Sequence, residues 1–193
     1  MNFYTFAKNV VKGIFFMGMK IEVIGKEHFP TTKGVLLCSN HINNLDPPVV
    51  GITAPRDVHF MAKEELFNAP ILKHLVPKLK AFPVKRGMSD REALRKGLAI
   101  LKEGDVLGLF PEGTRSKTGE LGKGLAGAGF FALRTDAEVV PCAIVGEYKM
   151  FGKLKVVYGK PIPMIEARER KASAEEVTEL IMNEIRMLIE KNN

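Results

Sequence analysis

Apolar residues cluster in seven short runs, near 21–25, 34–39, 57–62, 81–84, 106–110, 139–145 and 154–158. Runs such as Val35-Leu36-Leu37-Cys38 are continuous rather than alternating, the pattern of strands buried on both faces. Helical periodicity fills most of the gaps. Ser89 with Glu92, and Ser173 with Glu176, have capping-box spacing ahead of periodic apolar stretches, and the first stretch ends at Gly104. Val177, Leu180, Ile181, Ile185, Leu188 and Ile189 give the last helix one apolar face, which core packing explains. Pro161-Ile162-Pro163 separates the last strand from that helix. The alternation predicts a single α/β domain with a mixed, largely parallel sheet flanked by helices. Loops that carry chemistry should then gather beyond the carboxyl ends of strands.

The amino terminus has a different pattern. Phe3, Phe6, Val10, Ile14 and Met17 recur at spacings of three and four, with Ala7 among them, while Thr5, Lys8, Asn9 and Lys12 lie opposite. Only Gly13 to Met19 is free of polar side chains, well short of the roughly 20 residues that span a bilayer. A small-residue cleavage site is not evident, and Lys20 to Gly25 continues directly as a strand. Residues 1–20 are therefore read as an amphipathic, membrane-associating helix lying in an interface, and 21–193 as the folded domain. The competing reading packs the apolar stripe on the protein's own core.

Composition narrows the classes. With 193 residues and 46% hydrophobic content, one domain can bury an adequate core. The net charge is +7, and residues 73–96 hold eight Lys or Arg against Asp90 and Glu92. Such a patch suits anionic headgroups or the acidic surface of a carrier protein. No zinc ligand set, RNP-like aromatic motif or glycine-flanked KH loop is present and tryptophan is absent, so no nucleic-acid partner is expected. Cys38 and Cys142 sit in apolar strands, where cysteine behaves as a small hydrophobe, and no disulfide is expected. His59 and His74 lack partners at metal-ligand spacing, so no metal site is expected. The glycine-rich stretch 122–131 lacks the phosphate-loop pattern, and its small residues instead permit close helix packing.

Two loops hold the candidate chemistry. The first reads Asn40-His41-Ile42-Asn43-Asn44-Leu45-Asp46 and follows an apolar strand. A continuous helix would turn residues five apart to different faces, so His41 and Asp46 meet only across a bend. Asp46-Pro47-Pro48 provides one, since it reads as a helix start. In that bend the carboxylate accepts the proton of one ring nitrogen and leaves the other as a base, two thirds of a triad without its nucleophile. Taken alone, the same spacing also fits a capping aspartate beside a satisfied histidine. The second loop, Phe110-Pro111-Glu112-Gly113-Thr114-Arg115-Ser116, also follows a strand. Arg115 offers a donor fork suited to a phosphate or carboxylate, although an isolated Pro-Glu-Gly turn with solvated charges reads the same way.

Four blocks in order carry a resemblance. Asn40-His41 with Asp46, Lys63-Glu64-Glu65-Leu66-Phe67 through Phe82-Pro83-Val84-Lys85-Arg86-Gly87, Phe110 to Ser116, and Val139 to Ile144 together resemble the glycerolipid acyltransferases. The likeness is closest to the bacterial 1-acyl-sn-glycerol-3-phosphate acyltransferases, and it makes 21–193 an acyltransferase domain. It implies transfer of a fatty acyl group from a thioester, on coenzyme A or acyl carrier protein as co-substrate, to a lysophospholipid hydroxyl, giving phosphatidic acid. No tightly bound cofactor is implied. His41 and Asp46 are implied as the catalytic base and its orienting partner, without an acyl-enzyme. Arg86, Arg115 and Lys63 are implied as phosphate ligands, with Asn40, Glu112, Gly113 and Thr114 supporting the loops and amides near Gly113 facing the oxyanion. The place implied is the cytoplasmic face of the cell membrane, on an anionic surface, held peripherally or monotopically. Three alternatives stay open at this level: acylation of glycerol 3-phosphate or another lysophospholipid, a catalytically silent membrane-binding module, and a thioesterase. The last lacks a G-x-S-x-G elbow.

Overall fold

A computed structural model describes residues 3–70, 72–85 and 90–193. The chain runs α1 (Phe3–Gly18), β1 (Lys20–Ile24), β2 (Val35–Ser39), α2 (Asp46–Thr53), β3 (Val58–Lys63), α3 (Glu65–Asn68), α4 (Leu72–Leu75) and β4 (Ala81–Val84). It continues through α5 (Arg91–Lys102), β5 (Val106–Leu109), α6 (Gly127–Arg134), β6 (Glu138–Gly146), β7 (Lys153–Tyr158), α7 (Ile165–Glu169) and α8 (Ala174–Asn192). All seven expected strands form. They make one sheet in the order β1-β7-β6-β2-β5-β3-β4, in which only the β6–β7 pair is antiparallel. It is thus a single α/β domain with a mostly parallel sheet flanked by helices.

β2 lies centrally and all five of its residues are buried. Successive side chains of a strand point to opposite faces. Leu36 and Cys38 accordingly join a core shared with α5, α6 and α8, while Val35 and Leu37 join one shared with α2. A strand packed on both faces needs the continuous apolar text read above. Glycine sets the spacing of α6 against α8. A Cβ on Gly129 would lie 1.9 Å from the Ala174 carbonyl oxygen, and the Gly129 amide donates to Thr178 Oγ1 at 2.9 Å.

Two expectations about helix ends are refined. Ser173 caps α8 as expected, accepting from the Glu176 amide at 3.1 Å. The cap of α5 is Asp90, which accepts from the Ala93 amide at 3.0 Å, whereas Ser89 lies outside the described residues. A carboxylate at the N-cap also complements the positive helix end, which favours Asp90 in that role. After Pro161-Ile162-Pro163, the short helix α7 precedes the final one.

The α1 helix docks by a face the periodicity did not single out. Tyr4 is buried and its hydroxyl accepts from the Val58 amide at 3.2 Å, Lys8 donates to the Ala54 carbonyl at 2.9 Å, and Val11 packs on the core. Lys8, which lies opposite the apolar stripe, faces the domain, where burial lowers its pKa. Phe6, Val10 and Met17 of the apolar stripe point outward, 53%, 45% and 79% exposed. The side chains of Phe3, Ala7 and Ile14 lie outside the described set.

Candidate active site

His41 and Asp46 meet across the predicted bend. His41 Nδ1 lies 2.7 Å from Asp46 Oδ2, which also accepts the Ile42 and Asn43 amides at 2.7 Å each. The remaining oxygen, Oδ1, accepts the Tyr148 hydroxyl at 2.7 Å. Four donors therefore converge on a carboxylate that is fully buried, which offsets the cost of removing its charge from water. The tautomer that donates from Nδ1 leaves Nε2 as a base. Asp46 is the first residue of α2, and its carboxylate folds back onto the loop instead of capping that helix.

The imidazole is held on its flat side as well. Phe110 stacks on it at 4.2 Å between ring centroids, and Phe60 stacks behind Phe110 at 5.9 Å. The side chain of His41 stays 12% exposed, so the ring has a route to solvent. Asn40 anchors the loop by bonding both backbone groups of Ile144 on β6, donating at 2.9 Å and accepting at 2.7 Å.

The second loop lies directly against the first. Glu112 is buried and accepts the His41 amide through Oε1 and the Gly122 amide through Oε2, both at 2.8 Å. The Ser116 amide donates to the His41 carbonyl at 2.8 Å, which ties the residue after Arg115 to the first loop. Arg115 and Thr114 are exposed, and Arg115 makes no ion pair among the described residues. The Gly113 amide donates to the Phe110 carbonyl at 2.9 Å and closes the turn. Its φ of +67° and the approach of Leu125 explain the glycine there.

Lys63 is the last residue of β3, opposite Val84 of β4, and is exposed. Lys85 follows with a 3.8 Å pair to Glu64. Arg86 lies outside the described residues. Neighbouring strands are about 4.8 Å apart, so the β2 end that bears His41 is roughly 10 Å from the end of β3.

Tyr148 escaped the sequence reading because it sits 102 residues from Asp46 with no motif around it. Burial and the adjacent Asp46 carboxylate push its pKa well above the usual phenol range, so it remains a donor. Cys142 lies nearby, and burial pushes its thiol up to about 12. Groups of His, Cys, Asp and Glu able to hold a metal ion are absent among the described residues. A shallow cleft of about 390 Å³ beside α7 and α8 contains none of the residues above.

A family model described as Acyltransferase matches residues 20–145, the span that carries both loops. The chain belongs to this acyltransferase family. Within the family it is 32% identical over 165 residues to the 1-acyl-sn-glycerol-3-phosphate acyltransferase of Bacillus subtilis (strain 168), covering 82% of each chain. A protein of the same name from Borreliella burgdorferi is 29% identical over 138 residues, which are 70% of this chain and 55% of that one. The chloroplastic 1-acyl-sn-glycerol-3-phosphate acyltransferase LPAT1 of Arabidopsis thaliana is 31% identical over 156 residues, and the match spans only 44% of its length. The crystal structure of the 1-acyl-sn-glycerophosphate (LPA) acyltransferase from Thermotoga maritima superposes with a TM-score of 0.77, covering 98% of this chain and 80% of that chain at 20% identity. At that identity the likeness establishes the fold of this acyltransferase.

Proposed function

We propose that the chain transfers a fatty acyl group from an acyl-thioester to the sn-2 hydroxyl of 1-acyl-glycerol 3-phosphate, giving phosphatidic acid. The observation that carries this reading is the His41–Asp46 pair at 2.7 Å, held by four donors on one buried carboxylate. An alcohol is a poor nucleophile at neutral pH and needs a base as its bond to the acyl carbon forms, whereas a thiolate leaves readily. His41 Nε2 takes the hydroxyl proton while the alkoxide oxygen attacks the thioester carbonyl. The tetrahedral intermediate collapses, the carbon–sulfur bond breaks, and the imidazolium returns the proton to the departing thiolate. Asp46 stabilises the imidazolium and keeps the ring in register.

The acceptor's phosphate is assigned to Arg115 and Arg86, with Lys63 as a further cation. Each charge-assisted contact is worth about 1.5–3 kcal/mol. Glu112, buried between two amides, positions the loops and does not meet the dianion. Coenzyme A or acyl carrier protein carries the donor. The outward face of α1 and the net charge of +7 support work at the cytoplasmic face of the cell membrane, on anionic lipid.

The test is thiol release from acyl-coenzyme A and acyl carrier protein, with lysophosphatidate, glycerol 3-phosphate, lysophosphatidylcholine or no acceptor. Release that requires lysophosphatidate and yields phosphatidic acid is expected. Release of free fatty acid without acceptor would instead make the protein a thioesterase.

A further inference from the structure

Large apolar side chains are exposed along the sheet edge that carries the dyad. Met17, Leu45, Leu66, Leu125, Met150 and Phe151 all lie on α1's end or on connections leaving strands at that edge. Met150 and Phe151, each 76% exposed, form the tip of the hairpin between β6 and β7. Because β6 runs parallel to β2, this hairpin emerges at the same edge as His41.

The tip is a built feature of the fold. Phe151 occupies left-handed backbone at φ +60°, unfavourable for a bulky residue, and its amide donates to the Gly18 carbonyl at 2.7 Å. The Gly152 amide donates to Lys149 O, and the Lys20 amide to Gly152 O, both at 2.9 Å. These bonds fasten the hairpin to the end of α1, beside Met17. Exposed Lys20, Lys149 and Lys153 surround the apolar tip, with Glu147 paired to Lys149 at 2.8 Å. Apolar residues ringed by cations match a lipid surface whose headgroups are anionic. Lysines are depleted from protein–protein interface cores, which argues against a protein partner.

We propose that the Met150-Phe151 tip is a second membrane-inserting element, which with the outward face of α1 forms one contact plane on anionic bilayers. This deepens the acyltransferase reading, on which it rests for the lipid acceptor. The consequence for that site is direct. Tyr148, two residues before the tip, holds Asp46 Oδ1 at 2.7 Å. Seating the tip in lipid therefore places the dyad against the surface where a lysolipid presents its hydroxyl.

The chain has no tryptophan, so Phe151→Trp introduces a single fluorophore. Ile165→Trp, on α7 beyond the opposite end of β7, serves as the control at another exposed apolar position. Each full-length variant is titrated with phosphatidylglycerol vesicles with and without brominated acyl chains, with phosphatidylcholine vesicles, and with acyl carrier protein. The expected result is a blue shift and bromine quenching for Phe151→Trp on phosphatidylglycerol alone, with Ile165→Trp unmoved. Co-sedimentation of Met150→Ser/Phe151→Ser with the same vesicles should weaken about tenfold or more, given what burying two large apolar side chains contributes. Vesicle binding without a shift at Phe151→Trp, no vesicle binding, or a shift with carrier protein instead would each overturn the proposal. Neither readout uses turnover, so a failed acyl-transfer assay leaves them interpretable.

Discussion

Asp46 is fully buried and already accepts from His41, Ile42, Asn43 and Tyr148, which keeps it from substrate. Its work is to orient the ring, and Tyr148 in turn holds Asp46. Removing that hydroxyl by Tyr148→Phe deletes one charge-assisted bond of about 1.5–3 kcal/mol, part of which is recovered as the loop relaxes. The expected outcome is a roughly tenfold fall in kcat with KM for the acceptor little changed, read from steady-state thiol release. Because the phenol is held well above its ordinary range, the variant and the parent should share one pH profile up to about pH 9. An alkaline limb present only in the parent would count against a purely donating role. Local spacing made the His41–Asp46 contact legible, because a bend followed by Pro47-Pro48 admits few geometries. Tyr148 was not legible, since its partner is brought by a strand pairing and not by nearby sequence.

At the scale of elements, continuous apolar text announced the strands, and glycine decides how closely the helices cover them. Gly129→Ala would drive a Cβ into the Ala174 backbone oxygen, which is rigid, so α6 and α8 must part. Overpacking of that kind costs about 1–3 kcal/mol, which lowers Tm by roughly 3–10 °C in a domain of this size. Gly127→Ala in the same helix meets nothing within 4 Å and should leave Tm unchanged or slightly raised. Differential scanning calorimetry on the two variants separates a packing effect from one of helix propensity. The glycine-rich stretch was read as close packing, and Gly129 bears this out. The docking face of α1 was not legible, because periodicity places Lys8 among polar residues but says nothing of a carbonyl waiting on the neighbouring α2 turn.

For the whole molecule, the buried acids other than carboxylates set the alkaline limit. Burial raises Cys38, Cys142, Tyr4, Tyr148 and Tyr158 above their ordinary values. The folded chain therefore keeps these protons while the unfolded chain loses them, so stability falls as pH rises through the unfolded thiol and phenol values, about 8.5 and 10. Chemical denaturation at several pH values should give a midpoint that is flat near neutrality and declines above about pH 8.5. For the same reason neither thiol should react with a disulfide reagent until the fold opens. That silence also leaves a thiol-release assay free of background from the enzyme.

In the proposed mechanism His41 acts as the base for direct acyl transfer. The measurement that tests it most directly is lysophosphatidate-dependent thiol release by His41→Ala beside the parent chain, with far-ultraviolet circular dichroism and Tm to establish equal folding. The expected result is a folded variant whose kcat falls by about 10²–10⁴-fold, the share that a positioned general base supplies. A folded variant that releases thiol at the parental rate would contradict it.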